Sequence, residues 1–213
     1  MERREFIAIA ISGAGLALCG GCIFASTSFG LADTCRTTSD ILGPFYRPGA
    51  PFRSNMRFDG IKGTGLKVQG KVRGSDCSTI LSGAKIEIWH CNSAGEYDNT
   101  SDLFLHRASL NTDKEGLYSF STIMPGRYLN GDSYRPAHIH FKVANEGYSE
   151  LVTQLYFIGD PYLDTDPFSS LPKARQRRLD VRKLAVGTLS VNFDIWLERN
   201  PGLVDNTPIQ RMR

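Results

Sequence analysis

Arg135-Pro136-Ala137-His138-Ile139-His140-Phe141 decides how this chain is read. On a strand, alternate side chains share a face. His138 and His140 therefore project together, and Ile139 turns to the opposite side. Two imidazoles aimed at one point from a rigid strand form half of a metal site, and imidazole suits Zn, Cu, Fe and Ni. An H-x-H pair can equally be two polar residues on the wet face of a sheet. The rest of the chain has to separate these readings.

Outward from this stretch the same alternation recurs. Leu66–Val72, Ala84–Trp89, Leu117–Phe120, His138–Val143, Leu151–Phe157 and Leu189–Trp196 each read as a half-buried strand. Gly, Pro, Asn and Asp punctuate the intervals, and no 10–15-residue helical pattern alternates with the strands. The expected fold is all-β: an antiparallel β-sandwich with long active-site loops and at most one or two short helices. Leu171–Leu184 is the helix candidate. It carries Lys173, Arg175, Arg177, Arg178, Arg182 and Lys183, read as a solvated basic face because no aromatic residues interleave as they do in nucleic-acid surfaces.

The 213 residues carry a formal charge of +3, too mild to point to nucleic acid or an anionic membrane. Arg3-Arg4-Glu5-Phe6-Ile7, followed by an apolar run to Leu18, has the layout of a signal peptide and resembles a twin-arginine export signal. Gly30-Leu31-Ala32 offers small residues for cleavage, which divides the chain into a signal, 1–32, and one catalytic-sized domain, 33–213. Cys19 and Cys22 raise a lipoprotein alternative, but Leu18 is large for that motif. The expected location is exported, periplasmic or secreted, with no membrane association once the signal is removed. Of Cys35, Cys77 and Cys91, two are expected to pair in an oxidising compartment. Cys77 and Cys91 flank one strand-like run and are the first guess, although spacing alone leaves the connectivity open.

Five pieces, the H-x-H stretch among them, follow in order after an entry segment, Ile41-Leu42-Gly43-Pro44-Phe45-Tyr46. They are Trp89-His90-Cys91-Asn92-Ser93-Ala94-Gly95-Glu96-Tyr97, Thr112-Asp113-Lys114-Glu115-Gly116-Leu117-Tyr118-Ser119-Phe120, Met124-Pro125-Gly126-Arg127-Tyr128, Arg135 to His140, and Thr153-Gln154-Leu155-Tyr156-Phe157. Together they resemble the intradiol ring-cleavage dioxygenases, the non-haem iron(III) enzymes that include protocatechuate 3,4-dioxygenase and catechol 1,2-dioxygenase. The resemblance runs from about Ile41 to about Pro167. It implies Fe(III) held by Tyr97 (W-H-x-x-x-x-G-x-Y), Tyr128 (P-G-x-Y), His138 and His140. It also implies that Arg135 stabilises charge developing on the substrate, that Gln154 orients it, and that Tyr128 doubles as a base. The implied substrates are an aromatic 1,2-diol and O2, and the product a muconate-type dicarboxylic acid.

The donor set makes chemical sense. Phenolate is a hard, anionic oxygen donor, and two phenolates with a hydroxide neutralise a 3+ charge without burying net charge. Tyr134 competes with Tyr128, being nearer the histidines; the P-G-x-Y context favours Tyr128. His90 and His106 could be ligands in principle; the family motif implies a structural role for His90, which is left out of the site. The Tyr128–His138 interval is shorter than in the protocatechuate and catechol enzymes, and the helical dimerisation segment of the catechol enzymes has no room here. Substrate and homo-oligomerisation stay open on that account. Two other readings compete. One is a cupin-like jelly roll using His138, His140 and Glu146, with Gly131 upstream, though its spacings are off. The other is a non-catalytic β-sandwich binding protein.

Overall fold

The computed structural model describes residues 35–184, 187–200 and 202. The expected signal at 1–32, with Cys19, Cys22 and the cleavage site, lies outside the described residues. Among those residues no helix is long and apolar enough to cross a membrane.

Two sheets carry the domain. In the first, β3 (Arg107–Asn111), β2 (Lys85–Trp89), β7 (His138–Ala144), β8 (Leu151–Phe157) and β9 (Arg178–Leu179) lie in that spatial order. In the second, β1 (Gly65–Gly74) pairs with β4 (Leu117–Ile123) on one side and with β11 (Leu189–Asn192) and β12 (Ile195–Leu197) in succession; β10 (Arg182–Lys183) follows β11. A separate hairpin, β5 (Tyr128–Asn130) and β6 (Ser133–Arg135), forms a two-stranded sheet of its own.

The core between the sheets is built from the predicted alternation. Val68, Val72, Phe120, Val191 and Ile195 from one sheet meet Ile86, Ile88, Ile139, Phe141, Val143 and Leu155 from the other, all in one buried cluster. Each fully buried aliphatic or aromatic side chain of this kind contributes about 1.5–3 kcal/mol. β7 shows the consequence for function. Ile139, Phe141 and Val143 fill the sandwich, so His138 and His140 must point to the opposite face. That face is also covered, and both histidines are 1% exposed.

The sandwich is the expected one, with three parallel pairings, β1–β11, β1–β12 and β8–β9, among antiparallel neighbours. The run Leu189–Trp196 is broken into two strands by a close approach. Phe193 N–H bonds Gln69 O at 2.8 Å, and a Cβ on Gly70 would lie 1.9 Å from Phe193 O. Asp194 Oδ1 takes the Lys71 N–H at 2.9 Å in place of a ladder partner.

Two expectations are corrected. Leu171–Leu184 is not an α-helix: Pro172–Arg177 forms a 3-10 helix and the chain then enters β9 and β10. Nor is the whole basic face solvated. Arg177 is fully buried and pairs with Asp40 at 2.5 Å, a tertiary contact across most of the chain that local charge patterning cannot register. Lys173, Arg175, Arg182 and Lys183 are exposed as expected.

The disulfide is Cys35–Cys77, with Cα atoms 5.3 Å apart, and not Cys77–Cys91. Cys77 lies in the turn after β1 in one sheet, whereas Cys91 follows β2 in the other. Cys91 is a buried thiol whose Sγ donates to Gly126 O at 3.3 Å. The bridge closes a span of 42 residues, and a loop of that size is worth about 4 kcal/mol in the chain-entropy account.

Candidate metal centre

Two glycines bring the tyrosines together. Gly95 has φ +89°, and a Cβ there would sit 2.3 Å from Arg127 O. A Cβ on Gly126 would sit 2.6 Å from both Gly95 N and Ser93 O. The backbones of the two motifs therefore touch, and Asn92 O joins them by accepting from Gly95 N–H at 3.1 Å and Gly126 N–H at 2.8 Å. Each tyrosine lies two residues beyond its glycine. As a result the Tyr97 and Tyr128 rings meet edge to face, with centroids 5.6 Å apart. Gly95→Ala should separate them: we expect loss of metal binding together with a fall in melting temperature, read by metal analysis and thermal unfolding. A parent-like metal content in the folded variant would show that the contact is dispensable.

The histidines are set by what surrounds their rings. His138 Nδ1 lies 2.7 Å from Pro136 O. A carbonyl can only accept, so Nδ1 carries the proton and Nε2 presents a lone pair. That Nε2 is 3.2 Å from His140 Nε2 and 3.4 Å from the Tyr97 hydroxyl. His140 stacks on Trp89 with centroids 4.7 Å apart at 10°, and its Nδ1 is buried with no hydrogen-bond partner among the described residues. The segment before β1 closes the site. Phe45 stacks on Tyr97 at 4.2 Å and 15°, and a Cβ on Gly43 would meet His140 Cε1 at 3.4 Å.

Burial drives all four groups toward neutrality. It lowers His138 to about 3 and His140 well below the usual imidazole range, with His138 and Arg135 adding to the second shift. It raises Tyr97 well above the usual phenol range, reinforced by Tyr128 and Cys91, and raises Tyr128 as well. Neutral imidazoles are already in ligand form. The phenols ionise readily only beside added positive charge, which fits a donor set built for a highly charged cation. Among the described residues no three His, Cys, Asp or Glu side chains gather as a metal site. Glu146 lies beyond the far end of β7 and is exposed, away from the buried His138 and His140, which argues against the cupin reading through it.

Behind these four side chains lies a buried polar network. Arg135, 2% exposed, sits opposite Tyr128 in the β5–β6 register. Its Nε makes a 2.6 Å charge contact with Asp166 Oδ1, a contact too oblique to count as a hydrogen bond. It donates through Nη2 to Gln154 Oε1 at 2.9 Å, and it lies 4.7 Å over the Phe168 ring. Burial alone would lower its pKa, but Tyr128, Tyr156, Asp166 and Asp40 hold it raised. Gln154 and Tyr156 of β8 pair across the strands with His140 and His138. Gln154 Nε2 donates to Ile41 O at 2.8 Å, so its amide is largely engaged by the protein and holds Arg135 in place. Tyr156 hydroxyl sits 2.8 Å from Asp40 Oδ2 and 2.9 Å from Gln154 Oε1.

All six residues singled out in the sequence, Tyr97, Tyr128, Arg135, His138, His140 and Gln154, thus occupy one region. Tyr134 does not join them: it is 46% exposed and stacks on Tyr162. His90 is fully buried between Cys91 O and Thr122 Oγ1, each at 2.7 Å. Asp40, Tyr156, Asp166 and Arg177 were missed. Alternation from Gln154 could have shown Tyr156; nothing local marks the other three.

The dioxygenase family model Dioxygenase_C matches residues 41–199. This chain belongs to the intradiol ring-cleavage dioxygenase family. Its sequence is 35% identical over 192 residues to a chlorocatechol 1,2-dioxygenase of Rhodococcus opacus, covering 77% of this chain and 73% of that one. It is 36% identical over 151 residues to a catechol 1,2-dioxygenase of Candida albicans, covering 61% of this chain and 50% of the relative. A protocatechuate 3,4-dioxygenase beta chain of Burkholderia cepacia is 38% identical over 145 residues, covering 59% of this chain and 60% of that one. The chain therefore spans only about half to three quarters of the length of these relatives. Among solved structures, the dioxygenase domain of a dioxygenase–carbohydrate-binding fusion from a cellulolytic Streptomyces superposes with a TM-score of 0.68 at 31% identity, covering 78% of this chain and 99% of that one. The Rhodococcus opacus 3-chlorocatechol 1,2-dioxygenase gives 0.70 at 26%, covering 79% and 76%.

Proposed function

We propose that this intradiol dioxygenase uses non-haem Fe(III) to cleave an aromatic 1,2-diol with O2 between its two hydroxyls, yielding a muconate-type dicarboxylic acid. The convergence of two imidazole Nε2 atoms and two phenols, with no carboxylate among them, is the observation that carries this reading. Bound there, ferric iron would supply Lewis acidity and a route for electrons from the diol. Tyr97, Tyr128, His138 and His140 would hold it.

The remaining chemistry belongs to the chain. A catechol must lose two hydroxyl protons to chelate as a dianion. Ionised beside the cation it would help hold, Tyr128 is suited to take one, because it is only half-buried and sits at the start of a hairpin that joins neither main sheet. Tyr97 is locked under Phe45 and stays. Arg135 presents a fixed cation where negative charge grows on the substrate. Gln154 orients that guanidinium.

Purified protein should be red-brown and carry about one iron per chain. Stoichiometric zinc or copper with no visible band would sink the proposal. Oxygen uptake over a panel of catechol, chlorinated catechols, protocatechuate and hydroxyquinol would then rank the substrates.

Export is also proposed. Arg3-Arg4 with its apolar run supports it, and the Cys35–Cys77 bridge suits an oxidising compartment. Mass spectrometry should find a mature start near Asp33; an intact Met1 confined to the cytoplasmic fraction would refute it.

A further inference from the structure

Between Arg127 and Ala137 the chain leaves the sandwich and returns as one excursion, the β5–β6 hairpin. Its tip, Asn130 to Ser133, is exposed. The rung nearest its base pairs Tyr128 with Arg135. Just outside that rung, both strands are tied to a single atom. Asp160 Oδ2 accepts from Arg127 Nε at 2.8 Å and from the Ala137 backbone N–H at 3.1 Å. Its other oxygen accepts the Tyr162 N–H at 3.0 Å. The Tyr162 ring in turn stacks on Tyr134 of β6, with centroids 4.9 Å apart. The turn Asp160-Pro161-Tyr162 thus grips the hairpin at its base and along one flank.

The two strands are held unequally. On the β6 side, Arg135 is pinned by Asp166 and Gln154, and the Asp160–Ala137 bond is buried directly before His138. On the β5 side the tie is an ion pair whose Arg127 end is 48% exposed, against 3% for Asp160. An open cleft of about 640 Å³, lined in part by Gly126, Arg127 and Asp160, adjoins it and leaves room for movement. Any motion of the hairpin should therefore pivot on β6 and swing β5, the strand that begins with Tyr128.

We propose that Asp160 is a positioning residue for Tyr128. Its ion pair with Arg127 is the latch that sets how readily Tyr128 swings out of the site, while its bond to Ala137 holds the His138 side still. The inference rests on the proposed function in taking Tyr128 to leave when the diol arrives.

Three variants of the full chain test it. Arg127→Gln keeps the aliphatic stem and loses the charge; Arg127→Lys keeps the charge; Asp160→Asn keeps an acceptor for Ala137. Two readouts apply: amide hydrogen exchange across 127–135, with and without iron, and stopped-flow catechol binding to the iron-loaded protein. Losing a half-exposed ion pair should speed hairpin exchange and catechol binding roughly three- to fivefold in Arg127→Gln and Asp160→Asn. Exchange within β7 should stay unchanged, and Arg127→Lys should match the parent. Parent-like hairpin exchange in both charge-removing variants would overturn the latch, as would an equal rise throughout β7. If the parent protein bound no catechol, the proposed function would fail, and hairpin exchange would still decide the latch.

Discussion

Tyr97→Phe is expected to lose its iron, its colour or both, whereas Tyr128→Phe keeps much of its iron, shows an altered visible band and binds catechols slowly. The asymmetry comes from how each ring is held. Tyr97 lies face to face with Phe45, its hydroxyl is 3.4 Å from His138 Nε2, and burial presses it hardest toward the neutral phenol. It can serve as a permanent anionic donor only with a cation bound beside it, and removing it strips both a ligand and a compensating charge. Tyr128 is less enclosed and belongs to a hairpin that, among the described residues, pairs with neither main sheet. The hairpin can move without breaking the ladder of either sandwich sheet. Iron content, visible spectra and stopped-flow binding on both variants check the assignment. Catechol binding at the parent's rate in Tyr128→Phe, with a normal ferric site in Tyr97→Phe, would reverse the roles.

Arg135→Ala should slow turnover by roughly 10²-fold or more, the scale of a lost charge-stabilising donor. The iron colour should persist, because Arg135 is not a ligand. The variant also leaves Asp166 buried and uncompensated, which costs about 3–5 kcal/mol when one partner of a buried pair is removed. Activity must therefore be normalised to folded, iron-loaded protein. Arg135→Ala, Asp166→Asn separates the two effects: it should regain stability and stay slow. Near-parent turnover in either variant would make Arg135 a structural residue.

Much of the site was legible in the residues themselves. Alternation along His138-Ile139-His140 placed both imidazoles on one face, because a strand's side-chain period is two whatever packs against it. The motifs W-H-x-x-x-x-G-x-Y and P-G-x-Y singled out both tyrosines through the family resemblance; what is local is the glycine each carries at a fixed offset. The strand runs were equally plain where apolar and polar residues alternate, as in Leu66–Val72 and Leu151–Phe157.

What the tertiary structure decided are the contacts whose partners lie far apart in the chain. Which cysteine pairs with Cys77 depends on where the segment before β1 runs, and that segment is placed by long-range bonds such as Thr37 N to Trp196 O at 3.2 Å. Arg177 looked like one more solvated cation until Asp40, brought from the other end of the domain, met it in the interior. Arg135 became a buried, oriented cation only through Asp166, Gln154 and the covering Phe168. Sequence by itself determined the strands and the shared face of His138 and His140, because backbone periodicity is local, while the family resemblance supplied the other candidate donors. The burial, charge state and mutual distance of those donors depend on contacts that close only when the chain folds.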